Sequence, residues 1–257
     1  MQKASDWKQF WEERARSAAS DFDFDHGPSP GSEIEKLSKQ ELLSFIDPKP
    51  DETVFDAGCG TGGNILLLHS RVKRIVGMDC SQGAVDRCRR RINSNELKNV
   101  EVVQGSVTRL PLRDCSIDKV LCMSVLQYLT DTEVRKSLAE FRRILNDRGI
   151  LILHVKNISS LYLATLWIAK RAKLLLGMTI KIEYYRSYNW YVNELESLGF
   201  AVRTYNSFSL FTIEGMPRSL VRFLRKLELK RHNKFPLRLG FLRRHGSELK
   251  IKAQLAR

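Results

Sequence analysis

From Thr53 onward the chain alternates between short, nearly continuous apolar runs and longer stretches with an apolar residue every three or four positions. The short runs are "TVFDA", "RIVGMD", "VEVVQG", "DKVLCMS" and "GILILHV", and each predicts a strand buried on both faces. Between them, "GGNILLLHSRV", "SQGAVDRCRRRI" and "DTEVRKSLAEFRRIL" carry helical spacing. In the last, Val134, Leu138, Phe141 and Leu145 fall on one stripe. Strands separated by helices give an α/β fold with a parallel sheet covered on both sides. Upstream, residues 1–32 begin with an amphipathic stretch holding Trp7, Phe10 and Trp11 and end in the turn-rich "DFDFDHGPSPG". A helix follows near 33–46, with Ile34, Leu37, Leu42 and Leu43 as its apolar positions, and "DPKPDE" ends it.

The pattern loosens after the fifth strand. A long apolar stretch, "SSLYLATLWIAKRAKLLLGMTI", precedes "EYYRSYNWYVNELESLGF", whose second half reads as a helix ended by Gly199. "FAVRTYNSFSLFTI" supplies a sixth strand, and "PRSLVRFLRKLELKR" a basic helix with Pro217 at its start. "SELKIKAQLAR" alternates like a closing edge strand. There is no internal repeat, so residues 1–257 are expected to form one domain. Its parts are an N-terminal cap (1–48), a core (49–157) and later insertions with the last strands (158–257).

Charge changes this picture at one end. The net charge is +14, and residues 216–257 hold 13 Lys or Arg against 2 Asp or Glu. That segment therefore calls for an anionic partner. The five cysteines form no C-x-x-C pair, which argues against a zinc site, an iron–sulfur radical cluster or a disulfide framework, and no metal is expected. The N-terminal "MQKASDWKQFWEERARS" is polar, unlike a signal peptide, and no apolar run reaches spanning length, so a cytoplasmic protein is expected.

The candidate chemistry lies in "VFDAGCGTGGN", where Gly58, Gly60 and Gly63 follow a strand and open a helix. Such a turn brings backbone close to a ligand, and the free N–H groups of the helix start face it. Asp79 ends the second strand, 19 residues after Gly60, where a carboxylate can accept hydrogen bonds from both ribose hydroxyls. Asp56 decides between cofactors. A carboxylate there would repel a dinucleotide's pyrophosphate, but it would favour the sulfonium and ammonium groups of S-adenosylmethionine.

With "VFDAGCGTGGN", "VGMDCS", "VQGSVTRLPL", "SIDKVLCMSVLQYL" and "GILILHVKN" in this order, residues 50–157 resemble the class I S-adenosylmethionine-dependent methyltransferases. The resemblance implies a Rossmann-like, seven-stranded, mostly parallel sheet with its last strand antiparallel, a helical N-terminal cap and a basic helical insertion before the last strand. It also implies S-adenosylmethionine as cofactor. Asp56, Gly58, Cys59 and Gly60 would line the methionine moiety and the turn. Asp79 would hold the ribose, Cys80 would lie over the adenine, Ser106 and Val107 would contact the adenine, and Met123 and Ser124 would pack near the sulfonium. The family commonly has Asp where Ser106 stands.

The acceptor leaves fewer marks. No N/D-P-P-Y/F motif of amino-group methylation follows the fourth strand, where "CMSVLQYL" stands instead. His154 is the histidine best placed as a general base, the alternative being a hydrogen-bonded core histidine; His26 is a second, more remote candidate. Gln127, Tyr184, Tyr185 and Arg186 are the expected acceptor-facing residues. The reading is O-methylation of a small or lipid-linked acceptor, such as a glycan lipid or quinone precursor, with residues 216–257 on an anionic membrane surface at the inner leaflet. Two alternatives stay open here. One is an RNA methyltransferase that uses the basic segment for phosphates, and the other is a non-catalytic membrane- or nucleic-acid-binding module on the same scaffold.

Overall fold

Apolar runs flanked by turn residues become strands where the pattern places them. In the computed structural model, β1 (Thr53–Ala57) and β2 (Arg74–Asp79) coincide with "TVFDA" and "RIVGMD". The strands β3 (Val100–Gln104) and β4 (Ile117–Met123) match their runs to within a residue or so at each end. The structure describes residues 4–21, 31–160, 183–208 and 247–256, together with helical positions 163, 166, 168, 219, 220, 223, 224, 226 and 227. His26, most of the apolar stretch after Ser160 and most of the basic segment lie outside the described residues.

The helices α1 (Ala4–Ser17) and α2 (Glu33–Ile46) precede β1, α3 (Gly63–Leu68) follows β1, α4 (Gln82–Ser94) follows β2, α5 (Asp131–Ile144) follows β4, and α6 (Tyr188–Ser197) lies further along the chain. Their starts carry the expected caps. Ser32, Ser81, Thr130 and Ser187 each accept a backbone N–H of the first turn, and Thr130 with Glu133 forms a full capping box. Gly199, at φ +80°, closes α6 as the sequence implies.

Seven strands form one sheet in the order β3-β2-β1-β4-β5-β7-β6, where β5 is Leu145–Lys156, β6 is Phe200–Phe208 and β7 is Glu248–Leu255. Only β7 runs antiparallel to its neighbours. One core, with Phe55, Val120, Leu138, Phe141 and Leu153, fills one side of the sheet; another, with Ile46, Val54, Ile75, Leu121 and Ile152, fills the other.

The structure corrects the expectation for "SELKIKAQLAR". This strand does not close the edge; it is inserted between β5 and β6, and β6 is the edge. Its alternation is real, with Leu249, Ile251, Ala253 and Leu255 buried on one face. The other face looked solvated in sequence because it carries lysines. Those lysines are half-buried: Lys250 pairs with Glu41 of α2, and Lys252 lies over the Phe45 ring.

Candidate active site

Chain direction along the sheet reverses between β1 and β4. The chain runs outward through β2 and β3 on one side, then returns and continues through β4 and β5 on the other. A parallel sheet leaves a crevice outside the strand ends at such a switch point. Two turns meet there. Gly58 follows β1 at φ +78°, and a Cβ on it would lie 2.2 Å from Val125 Cγ2, in the turn after β4. Gly58 and Cys59 both donate their N–H groups to the Met78 carbonyl at 2.7 and 2.9 Å, which pins the glycine turn to β2.

The carboxylates gather on this turn. Asp56 is buried at the end of β1, with Asn64 Nδ2 3.3 Å from its Oδ1. Asp79 takes the Gly60 N–H on Oδ2 at 3.0 Å and the Ser81 N–H on Oδ1 at 2.9 Å. Burial pushes its carboxyl above the usual range, while these backbone donors pull the other way. The donors fix the carboxylate at the tip of β2. Gly105 extends the contact toward β3 by donating to the Asp79 carbonyl, so Ser106 and Val107 lie next to Asp79 in the crevice wall. Val107 is buried in the core, and the Ser106 hydroxyl lies 2.9 Å from that of Thr108.

The cysteines here are small fillers. Hydrogen bonding with Cys88 and burial raise the Cys59 thiol well above its ordinary value. Burial and the Asp79 charge push Cys80 up to about 12, so neither is a thiolate at neutral pH.

On the far side of the switch, Met123 packs half-buried against the core, and Ser124 turns out of β4 at φ +60°. Ser124 is bound twice to His154 on β5. Its N–H donates to the His154 carbonyl at 2.8 Å, and its Oγ lies 2.9 Å from Nδ1. The His154 Nε2 faces Glu248 Oε2 of β7 at 3.6 Å. His154 is thus half-buried near the end of β5, with its Nε2 buried and without a hydrogen-bond partner among the described residues.

The next residues form a roof. Gln127 is buried within the 3-10 turn Leu126–Tyr128, and its carbonyl accepts the Tyr184 N–H at 2.7 Å. That bond lays residues 183–187 across the ends of β4 and β5. Tyr185 bonds Glu183, which also pairs with Lys156 at 3.2 Å. Arg186, expected to face an acceptor, is only 5% exposed. It donates to Asp131 at 2.8 Å and to the carbonyls of Leu126 and Leu129 at 3.0 and 2.6 Å, and it stacks 4.9 Å from the Trp190 ring. Its donors are spent holding the roof to the turn after β4.

Four contributors, Trp7, Trp11, Glu12 and Tyr128, carried little signal in sequence. Trp7 and Trp11 of α1 pack on the Tyr128 ring at 4.5 and 5.3 Å. Glu12 accepts Ser81 Oγ and the Gly83 N–H at 2.8 and 3.2 Å. The helix α1 thus bridges from the start of α4, beside Asp79, to the turn after β4. The amphipathic pattern of "DWKQFWEE" gave the helix but not its docking site, which long-range packing sets. Tyr128 read as one more apolar position. Burial and Glu183 push its hydroxyl up to about 12.

Residues 54–149 match a family model described as a methyltransferase domain. An uncharacterized 37.1 kDa protein in transposon TN4556 of Streptomyces fradiae is 38% identical over 118 residues, which are 45% of this chain and 33% of that one. Malonyl-[acyl-carrier protein] O-methyltransferase of Serratia marcescens is 28% identical over 113 residues, 44% of this chain and 42% of that one. The chain thus spans a third to under half of the length of these curated relatives. Among solved structures, phosphoethanolamine N-methyltransferase 1 of Haemonchus contortus, bound to phosphoethanolamine and S-adenosylhomocysteine, superposes with a TM-score of 0.68 at 16% identity. That match covers 99% of this chain and 49% of the other.

The residues of the crevice fit S-adenosylmethionine, the cofactor the sequence resemblance implies. Asp79 is held ready for ribose hydroxyls, and Asp56 suits a sulfonium and an ammonium group. Two buried polar atoms beside Tyr128, Trp7 Nε1 and Gln127 Oε1, have no hydrogen-bond partner among the described residues. One is a donor and the other an acceptor, as the carboxylate and ammonium of an amino-acid tail require.

Proposed function

We propose, for a chain that carries a class I S-adenosylmethionine-dependent methyltransferase domain, that the protein methylates an oxygen of a small or lipid-linked acceptor. When bound, the cofactor supplies a methyl group on a positively charged sulfur, an electrophile that needs only an aligned nucleophile. A hydroxyl acceptor must also lose its proton. The observation that carries the reading is the imidazole of His154 beside the end of β4, hydrogen-bonded to Ser124. Asp56, Gly60 and Asp79 hold the cofactor on the β1 side, and the roof of Tyr184 and Tyr185 leaves the acceptor to the β4–β5 side. An O-methyltransferase among the curated relatives agrees with this.

The basic segment supports a membrane-borne acceptor. Its helical residues Leu220 and Phe223 are 43% and 57% exposed, whereas Leu224 and Leu227 are half-buried. Lys226 ties this helix to Glu33 at the start of α2. Large apolar side chains pointing outward from a cationic helix suit an anionic lipid surface, where each cation adds about 1 kcal/mol. No described helix is long and apolar enough to cross a membrane.

Transfer of labelled methyl groups from S-adenosylmethionine into a cell extract, split into lipid, RNA, protein and small-molecule fractions, tests this reading. Label is expected in the lipid or small-molecule fraction. The protein should sediment with anionic but not neutral liposomes, less so at high salt, and less when Arg222, Arg225 and Lys226 become Gln. Label in RNA, with RNA binding that falls steeply with salt, would instead establish the RNA reading.

A further inference from the structure

We propose that Ser124, His154 and Glu248 form a proton relay in which Ser124 is the group that meets the acceptor. This deepens the reading given above and rests on it. Three observations carry it. The first is the setting of one imidazole: Nδ1 lies 2.9 Å from Ser124 Oγ, while Nε2 is buried without a hydrogen-bond partner among the described residues and faces the Glu248 carboxylate at 3.6 Å. A neutral ring has one donor and one acceptor nitrogen. The carboxylate can only accept, so the ring proton belongs on Nε2 and the lone pair on Nδ1 points at the serine hydroxyl.

The second is the backbone of Ser124. Its φ of +60° lies in the left-handed region, which is uncommon outside glycine and strained. The Ser124 N–H bond to the His154 carbonyl holds it there. A glycine would relieve that strain; this chain carries a hydroxyl there instead. Ser124 is exposed in the crevice where β4 ends, one residue before Val125, which packs on the cofactor turn at Gly58.

The third is the surrounding charge. His154 is paired in register with Lys250, which is taken up by Glu41 of α2. Lys156, two residues along β5, is taken up by Glu183. Both neighbouring cations thus have carboxylates beside them, and the Glu248 carboxylate lies 3.6 Å from the ring.

The proton moves as follows. As the acceptor oxygen forms its bond to carbon, its hydrogen passes to Ser124 Oγ while the serine's own hydrogen passes to His154 Nδ1. The sulfur keeps the electron pair of the broken bond, and Glu248 stabilises the imidazolium. Ser124 is the catalytic residue in this arrangement; His154 and Glu248 act through it.

The test needs no acceptor. Phenylmethylsulfonyl fluoride reacts with a serine that can hand its proton to a base: an O–S bond forms, the S–F bond breaks, fluoride leaves and the proton goes to the imidazole. Mass spectrometry should find the sulfonyl group on Ser124 of the full chain. Labelling should slow by at least about tenfold in both His154→Asn and Glu248→Gln. Ser124→Gly should take no label there, yet melt at or above the native temperature, because glycine suits a positive φ. S-adenosylhomocysteine affinity, followed by calorimetry, should stay unchanged in His154→Asn and Glu248→Gln. Loss of that affinity in the native protein would count against the methyltransferase reading instead, and the labelling result stands apart from it. The relay is overturned if native Ser124 stays unlabelled, or if Glu248→Gln labels as fast as the native protein.

Discussion

Gly58→Ala is expected to abolish measurable cofactor binding and to lower stability by about 2–5 kcal/mol. Two costs add. At φ +78° an alanine lies in the left-handed region, which costs roughly 1–2 kcal/mol. Its Cβ would also lie 2.2 Å from Val125 Cγ2, an overlap that forces a shift costing roughly 1–3 kcal/mol. The turn cannot slide away, because the N–H groups of Gly58 and Cys59 are both bonded to Met78. The strain therefore falls on the contact between the β1 and β4 turns, where Asp56 and Ser124 must face one cavity. A loss of about 3 kcal/mol is more than a hundredfold in affinity. Adding Val125→Ala should recover the steric part but not the backbone part. Native-like binding of S-adenosylhomocysteine by Gly58→Ala would show that the two turns do not shape the site together.

Arg186→Ala should be the most damaging change outside the cofactor turn. The guanidinium satisfies the carbonyls of Leu126 and Leu129 and the carboxylate of Asp131 from a site that is almost wholly buried. Each orphaned carbonyl costs about 1–3 kcal/mol, and Asp131, being half-exposed, adds less. A total near 3 kcal/mol lowers the melting temperature by roughly 6–12 °C for a domain of this size. Arg186→Lys should recover little, since one ammonium cannot span three acceptors arranged for a planar fork. Cofactor affinity should fall far less than stability. If Arg186 instead met the acceptor directly, Arg186→Ala would melt like the native protein and lose only turnover.

These two residues mark what the sequence made legible. The turn at Gly58, like Asp56 and Asp79, depends on strand–turn–helix order within a short span, and local pattern carries that order. The strands β1 and β2 were read to the residue for the same reason. Arg186 is held by groups about sixty positions away, and nothing in "EYYRSY" separates a buried clamp from an exposed contact. The place of β7 is hidden likewise: its lysines look solvated until Lys250 meets Glu41, 209 positions earlier. Glu248 was invisible as a partner of His154 until that strand was placed. Trp7 was legible as one face of a helix, but its packing on Tyr128 depends on where α1 docks.

One crevice, between β1 and β4, is expected to select S-adenosylmethionine. Titration calorimetry of the native protein and Asp79→Ala with S-adenosylhomocysteine and with NAD tests this most directly. The native protein should bind S-adenosylhomocysteine and not NAD, and Asp79→Ala should weaken that binding by about 1.5–3 kcal/mol, the worth of hydrogen bonds to a charged group. Binding of NAD, or an affinity for S-adenosylhomocysteine that ignores the loss of Asp79, would contradict it.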